Sequence, residues 1–310
     1  MPTEPIKDVL PRAIENKKVA EILLMYSKAI DETVNFGTHV FKWCIETGGD
    51  NEQIPIFLLF RHAIELLDSI SICIEESSIE PCKFMLRGLL EVYFDIEYIF
   101  QADTNRRAMS FLVWNLNMEI KMLRKRDPNT HEWQQFSKDL STDRIVRDPK
   151  YYQIIDANQK VSEFQKILAQ PSYAEAETEY QRLIAAGNRN PNWYSLFSGP
   201  ASMRDLARQV NLIGQYEILY RAWSGPIHAT DIIKGKISID AQKKLGIVQI
   251  RTPSNAQIIT SLTLAYAMHL YRSFISHYVP DRMKDYDAWY VNEIRDVYLM
   301  ISGKPMINVT

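Results

Sequence analysis

The fold is decided by two stretches, IFLLFRHAIELLDSISICIEE (residues 56–76) and PCKFMLRGLLEVYFDIEYIFQ (residues 81–101). In both stretches apolar residues recur at steps of three and four, which is the period of an α-helix with one buried face. The connector between them, Ser77-Ser78-Ile79-Glu80-Pro81, contains helix-capping residues and a proline suited to a first helical turn. Because the connector is so short, the two stretches are predicted to form an antiparallel helical hairpin.

The same helical period extends over most of the remaining chain. Further helices are predicted over residues 18–47, 104–126 (capped by Asp103-Thr104-Asn105), 202–222, 254–278 and 281–300. Residues 127–200 are more polar, and their amphipathic stretches near 151–169 and 173–187 predict a helical insertion. Two short β-prone runs, Ile237-Ser238-Ile239 and Ile247-Val248-Gln249-Ile250, are expected to pair as a small ribbon.

These patterns predict an all-α fold, a multi-helix bundle with a helical insertion and one short β-ribbon. Residues 1–126 are assigned to the N-terminal part of the bundle, residues 127–200 to the insertion, and residues 201–310 to the C-terminal part of the same bundle. The insertion has too little apolar content for a separate core. With 310 residues, the chain is long enough to bury a substantial core.

Composition narrows the functional class. The net charge is −2, so no overall basic field attracts nucleic acid, although a local basic surface remains compatible with this charge. The three cysteines, Cys44, Cys73 and Cys82, form no CxxC pair and are expected to be buried, reduced thiols. The chain has no secretory h-region and no apolar run long enough for a membrane span. A cytoplasmic protein without a membrane partner is therefore expected.

Arg87 and Glu91 are one turn apart on the second helix of the hairpin, so they share a face. A salt bridge at the surface of the bundle and a polar site inside the bundle both fit this spacing. An exposed pair of this kind contributes only a few tenths of a kcal/mol. A pair turned inward is costly unless further polar groups satisfy it.

The second candidate stretch is Tyr220-Arg221-Ala222-Trp223-Ser224-Gly225-Pro226-Ile227-His228. Ser224-Gly225-Pro226 is expected to break the helix, and the backbone groups left unpaired there could be satisfied by Ser224 and His228. A histidine at this position could equally transfer protons near neutral pH. A lone histidine is more often structural or exposed, so the structural alternative stays open.

No metal or other cofactor is expected. The chain lacks HExxH and the paired Glu-x-x-His motifs of di-iron bundles, and offers only His62-x-x-Glu65 and His228-x-x-Asp231. It also lacks a P-loop, a GxGxxG loop and a GxSxG elbow.

The hairpin from Leu58 to Glu91, with its Arg-x3-Glu motif, and the later Ser224-x3-His228 segment resemble a bacterial helical family of unknown function. The resemblance covers residues 50–102 and 205–279 and leaves the insertion outside. The spacing Arg221-x6-His228 also resembles the motif of the HEPN helical ribonucleases. There, an arginine and a histidine at a composite dimer site act on the 2′-hydroxyl and the phosphate of RNA.

The HEPN-like resemblance implies a metal-independent ribonuclease that acts on RNA as a homo-oligomer, for example as a toxin or in phage defence. His228 would be the acid and base, Arg87 or Arg221 would contact phosphate, and Glu91 would orient one of them. Tyr220 and Ser224 would contact the substrate. The alternative is a non-enzymatic helical sensor or scaffold, in which the same residues attach the second stretch to the bundle.

Overall fold

The structure is a computed structural model that describes residues 3–47, 53–227, 233, 236–239 and 244–307. The chain divides into two compact units. Unit 1 comprises Met1–Asp50, Ile56–Gln101 and Ala207–Thr310, and unit 2 comprises Asn51–Pro55 and Ala102–Leu206. Helices dominate both units, and the one sheet among the described residues has two strands. The predicted all-α multi-helix fold is confirmed.

Unit 1 is built around four long helices: α1 (Lys17–Glu46), α2 (Ile54–Glu75), α3 (Ile79–Gln101) and α11 (Ala256–Tyr278). The predicted hairpin corresponds to α2 and α3, and each of these helices begins two residues earlier than predicted. Because both helices bury a continuous stripe of apolar side chains, the periodicity of the sequence was sufficient to find them.

Aromatic side chains join α1, α2 and α11 in the core of unit 1. The ring of Phe60 stacks on Phe274 at 4.1 Å and meets the edge of Tyr271 at 5.7 Å between ring centroids. The Tyr271 hydroxyl donates to the backbone oxygen of Thr33 at 3.0 Å. A Cβ at Gly37 would collide with that hydroxyl, so α1 and Tyr271 can approach this closely only because residue 37 is a glycine.

The region predicted as one helix over residues 202–222 consists of several pieces. They are α8 (Met203–Gln209), α9 (Ile213–Gln215), a π-helix (Tyr216–Tyr220) and α10 (Arg221–Ile227). The chain is interrupted near Asn211, which has a φ of 61°. The predicted break at Ser224-Gly225-Pro226 is wrong, because α10 continues through these residues.

The predicted ribbon is confirmed, with a shift in its second strand. Strand β1 (Ile237–Ile239) pairs antiparallel with β2 (Leu245–Ile247), and Ile237 lies opposite Ile247. The remaining helices of unit 1 are α12 (Met283–Trp289), a π-helix (Tyr290–Ile294) and α13 (Arg295–Ile301). The predicted helix over residues 281–300 therefore contains a π-helical segment.

Unit 2 contains α4 (Thr104–Arg126), α5 (His131–Thr142), α6 (Ala157–Leu168) and α7 (Pro171–Ala185), followed by a kinked 3₁₀ segment (Trp193–Ser198). The residues assigned to the insertion lie in this unit together with α4. Its core is contributed by α4, α6, α7 and the 3₁₀ segment. Its buried members are Met109, Val113, Ile120, Leu123, Ala157, Val161, Leu168, Ala176, Tyr180 and Leu196.

Two local predictions for unit 2 need correction. Helix α5 was not predicted, because it buries little apart from Trp133 and Leu140. Asp103 does not cap α4 with its side chain. It has a φ of 48° and forms an ion pair with Arg106 instead.

Of the helices in the described part of the chain, none combines the length and the hydropathy that crossing a bilayer requires.

Candidate functional site

Arg87 is the centre of a polar cluster on α3. Its Nη2 lies 3.1 Å from Oε1 of Glu91, one helical turn further on. The same Nη2 donates to the Tyr220 hydroxyl at 2.6 Å, and the guanidinium carbon lies 4.2 Å from the centroid of the Tyr220 ring. Tyr220 ends the π-helix that precedes α10, so this contact joins two distant parts of the sequence within unit 1. We call Arg87, Glu91 and Tyr220 the Arg87 cluster.

The guanidinium is not fully satisfied. Nε of Arg87 is buried and has no hydrogen-bond partner in the described ranges of the chain. The side chain as a whole is 19% exposed, and that of Glu91 is 35% exposed. An unpaired buried donor costs roughly 1–3 kcal/mol, so a purely structural pair would be expected to satisfy it. A buried donor without a partner is rare in folded proteins and requires an explanation, of which a functional role is one.

Tyr220 is fixed through both its ring and its backbone. Its ring stacks on Tyr216 at 4.9 Å between centroids, and its backbone oxygen accepts a hydrogen bond from Oγ of Ser224 at 2.7 Å. Burial raises the pKa of Tyr220, and the negative charge of Glu91 raises it further, against the opposing effect of Arg87. The phenol is therefore neutral at physiological pH and can donate a proton to a hydrogen bond.

Asp95, one turn beyond Glu91 on α3, is the residue that the sequence analysis missed. It is buried, and its Oδ1 has no hydrogen-bond partner within the part of the chain that the structure describes. Burial raises the pKa of Asp95 well above its usual range, and the nearby charge of Glu91 adds to this shift. A carboxyl whose pKa is shifted by burial and by a neighbouring charge is a candidate for a functional site. The signal in the sequence was an aspartate inside the apolar run VYFDIEYIF, four residues after Glu91.

The structure does not bring all the predicted site residues together. Arg221 is exposed and its Nη1 lies 2.7 Å from Oε2 of Glu217, so its charge is paired with the π-helix that precedes α10. Ser224 is connected to the Arg87 cluster through the backbone of Tyr220. His228 lies outside the described residues. The structure thus joins Arg87, Glu91 and Tyr220, and Asp95 lies one turn beyond Glu91 on α3.

The His62 and Glu65 side chains lie on the surface of α2, 3.4 Å apart, and Glu65 also pairs with Arg61. Over the described ranges, no group of three or more His, Cys, Asp or Glu side chains is arranged to hold a metal ion.

A family model matches residues 53–243, which is more than half of the chain. Its description is a family of unknown function, DUF5677. The chain belongs to this family. The search of curated proteins found no match, and neither did the search of solved structures.

The DUF5677 match includes α2, α3 and the segment that carries Tyr220, and thus all of the Arg87 cluster. It also includes residues 127–200, for which no resemblance was predicted. The predicted membership of a helical family of unknown function is confirmed, and residues 127–200 lie within the matched range instead of outside it.

Proposed function

We propose that this chain is a metal-independent ribonuclease of the HEPN-like type and that Arg87 binds the scissile phosphate of RNA. The main support is the state of the Arg87 guanidinium, which is held in place by Glu91 and Tyr220 through Nη2 and is still partly exposed. Arginine has five N–H donors, and both of these contacts use Nη2. A guanidinium that is already oriented loses little side-chain freedom when it binds a phosphate.

The reaction that this site would perform is internal transesterification. The 2′-oxygen attacks the phosphorus and the bond to the 5′-oxygen breaks, which gives a 2′,3′-cyclic phosphate and a 5′-hydroxyl end. Arg87 would stabilise the charge that develops on the phosphoryl oxygens, and Glu91 would orient Arg87. His228 would accept the 2′-hydroxyl proton or donate a proton to the leaving 5′-oxygen. Asp95, whose pKa is raised by burial and by the charge of Glu91, is a second candidate for the acid. Tyr220 and Ser224 would contact the substrate.

The decisive experiment compares RNA cleavage by the wild type, Arg87→Ala, His228→Ala and Arg61→Ala in the presence of a chelator. Arg61 forms the same i, i+4 pair with Glu65 on the exposed face of α2, so Arg61→Ala is the matched control. Loss of a group that stabilises the transition state should lower the cleavage rate on the order of 100-fold or more for Arg87→Ala and His228→Ala. Arg61→Ala should cleave like the wild type. A folded Arg87→Ala protein with full activity would refute the proposal.

We also propose that two copies complete the site, as in the HEPN ribonucleases, and that the chain acts as a toxin or in phage defence. Expression of the wild type should then arrest cell growth, whereas expression of His228→Ala should not. The mass of the wild type in solution should correspond to a homo-oligomer. A monomeric wild type that cleaves RNA would remove the composite-site part of the proposal.

The second candidate function is a non-enzymatic sensor or scaffold. The observation that favours it is that the contact between Arg87 and Tyr220 attaches the π-helix to α3 within unit 1. In this case the wild type would not cleave RNA, and Arg87→Ala would lower the melting temperature without changing any activity. RNA cleavage by the wild type that Arg87→Ala abolishes would exclude this candidate.

A further inference from the structure

Two of the three cysteines meet at the turn between α2 and α3. Cys73 lies in the last turn of α2 and Cys82 in the first turn of α3. The backbone N–H of Ser78 donates to the backbone oxygen of Cys73 at 2.8 Å. The thiol of Cys82 contacts the backbone oxygen of the same Ser78 at 3.5 Å. A single turn residue therefore contacts both cysteines, Cys73 through its backbone and Cys82 through its thiol.

The two thiols influence each other's titration, and their environments differ. Hydrogen bonding with Cys82 lowers the pKa of Cys73, and the same interaction raises the pKa of Cys82. Cys73 is half-buried, which corrects the expectation that all three cysteines are buried, whereas Cys82 is buried. The pair thus has one accessible sulfur and one protected sulfur.

A positive charge is fixed beside the pair. Arg251 donates through Nη1 to Oε2 of Glu76 at 2.6 Å, and its side chain is only 18% exposed. A backbone bridge between Ser78 and Thr252 keeps this segment against the turn. The pKa of Cys73 is lowered first by the hydrogen bond from Cys82 and further by the charge of Arg251, against the effect of burial. A cationic neighbour and partial exposure are typical of reactive cysteines.

We propose that Cys73 and Cys82 form a redox-active dithiol that a hydroperoxide converts into an intramolecular disulfide. The Cys73 thiolate attacks the terminal oxygen of the hydroperoxide. The O–O bond breaks, the leaving oxygen takes a proton as water or an alcohol, and Cys73 becomes a sulfenic acid. The Cys82 sulfur then attacks the Cys73 sulfur, the S–O bond breaks and water leaves with the Cys82 proton. The two thiols are oxidised by two electrons, and the hydroperoxide is reduced by two.

Cys44 provides an internal reference. It is fully buried in α1, and burial raises the pKa of its thiol to about 12. It should therefore remain a thiol under conditions that oxidise the pair.

The first test uses the reduced wild-type chain and requires no substitution. At neutral pH, iodoacetamide should alkylate Cys73 at least roughly tenfold faster than Cys82 or Cys44, because the thiolate is the reacting species. Alkylation of Cys73 no faster than that of Cys44 would overturn the proposal.

The second test treats the full chain with a stoichiometric amount of hydrogen peroxide and maps its peptides without reduction. A peptide that joins Cys73 to Cys82 should appear, with the intact mass lower by two hydrogens, and a dithiol reductant should reverse the change. Cys82→Ser should stop at a sulfenic acid on Cys73 that dimedone traps, and Cys44→Ser should behave like the wild type. Retention of three free thiols in the wild type, or a disulfide between two chains, would refute the proposal.

Discussion

Two helices of unit 1 carry the same Arg-x3-Glu motif in different surroundings. On α2, Nη2 of Arg61 lies 2.7 Å from Oε1 of Glu65, and the two side chains are 60% and 48% exposed. On α3, the corresponding distance between Arg87 and Glu91 is 3.1 Å, with 19% and 35% exposure. The shorter ion pair is therefore the more exposed one. Burial, and not the N–O distance, distinguishes a surface ion pair from a candidate site.

The residues around each motif explain why burial matters here. Eight positions after Arg61, α2 has Ser69, whereas eight positions after Arg87, α3 has the buried Asp95. Tyr220 covers Arg87. Water screens the pair on α2, so it contributes little to stability. The pair on α3 is screened less, so its charges act more strongly on each other and on any ligand.

The largest expected effect concerns Asp95, which has no counterpart on α2. Because its pKa is raised in the folded state, the folded protein holds a proton that the unfolded chain releases above about pH 4. Stability should therefore fall as the pH rises from about 4 towards the folded pKa, by up to about 1.4 kcal/mol per pH unit. Asp95→Asn keeps the shape but cannot ionise. In urea unfolding, the free energy of unfolding of Asp95→Asn should therefore increase relative to that of the wild type as the pH rises.

Urea unfolding of the wild type and of Asp95→Asn between about pH 4 and pH 7 can also contradict this prediction. Parallel stability curves for the wild type and Asp95→Asn would mean that Asp95 binds no extra proton in the folded state. It would then be no candidate for the acid in RNA cleavage.

A smaller difference is expected when the two arginines are removed. Arg87→Ala leaves the Glu91 charge half-buried without its partner and should lower the free energy of unfolding by about 2 kcal/mol. Arg61→Ala removes an exposed pair and should change it by less than about 0.5 kcal/mol. Urea unfolding of both variants at one pH measures the difference. Equal losses would show that burial does not distinguish the two motifs.

The long helices could be predicted from the sequence, because each buries one apolar face. The first helix was expected over residues 18–47 and is observed at Lys17–Glu46. The π-helix at Tyr216–Tyr220 could not be predicted, because one extra residue in a turn changes the apolar period too little to be seen. The expected break at Gly225-Pro226 was wrong because α10 continues through a local sequence that commonly ends a helix.

The candidate site could be predicted only in part. That Arg87 and Glu91 share a face follows from helix geometry alone. Their contact with Tyr220 joins residues 133 positions apart, and only the packing of unit 1 creates it. Asp95 could have been noted as a carboxyl within an apolar run, but its burial depends on tertiary neighbours that periodicity does not specify.

Tyr220→Phe tests whether the hydrogen bond from Arg87 to the Tyr220 hydroxyl stabilises the fold. The substitution keeps the ring above the guanidinium and removes the hydroxyl that accepts from Nη2. Loss of this hydrogen bond should cost about 1 kcal/mol in urea unfolding. Tyr216→Phe, on the ring that stacks on Tyr220, is a control that leaves the bond to Arg87 in place. An equal cost for both substitutions would show that the hydroxyl of Tyr220 has no special role.

The smallest effect on stability is expected for Arg221→Ala, which also decides between the two arginines proposed to contact phosphate. Arg221 is exposed and pairs with Glu217, so its loss should change the free energy of unfolding by less than about 0.5 kcal/mol. If Arg87 alone binds the scissile phosphate, Arg221→Ala should cleave RNA at close to the wild-type rate. A stable Arg221→Ala protein that has lost cleavage would instead assign the phosphate to Arg221. The Arg87 cluster would then serve to position the segment that carries Tyr220.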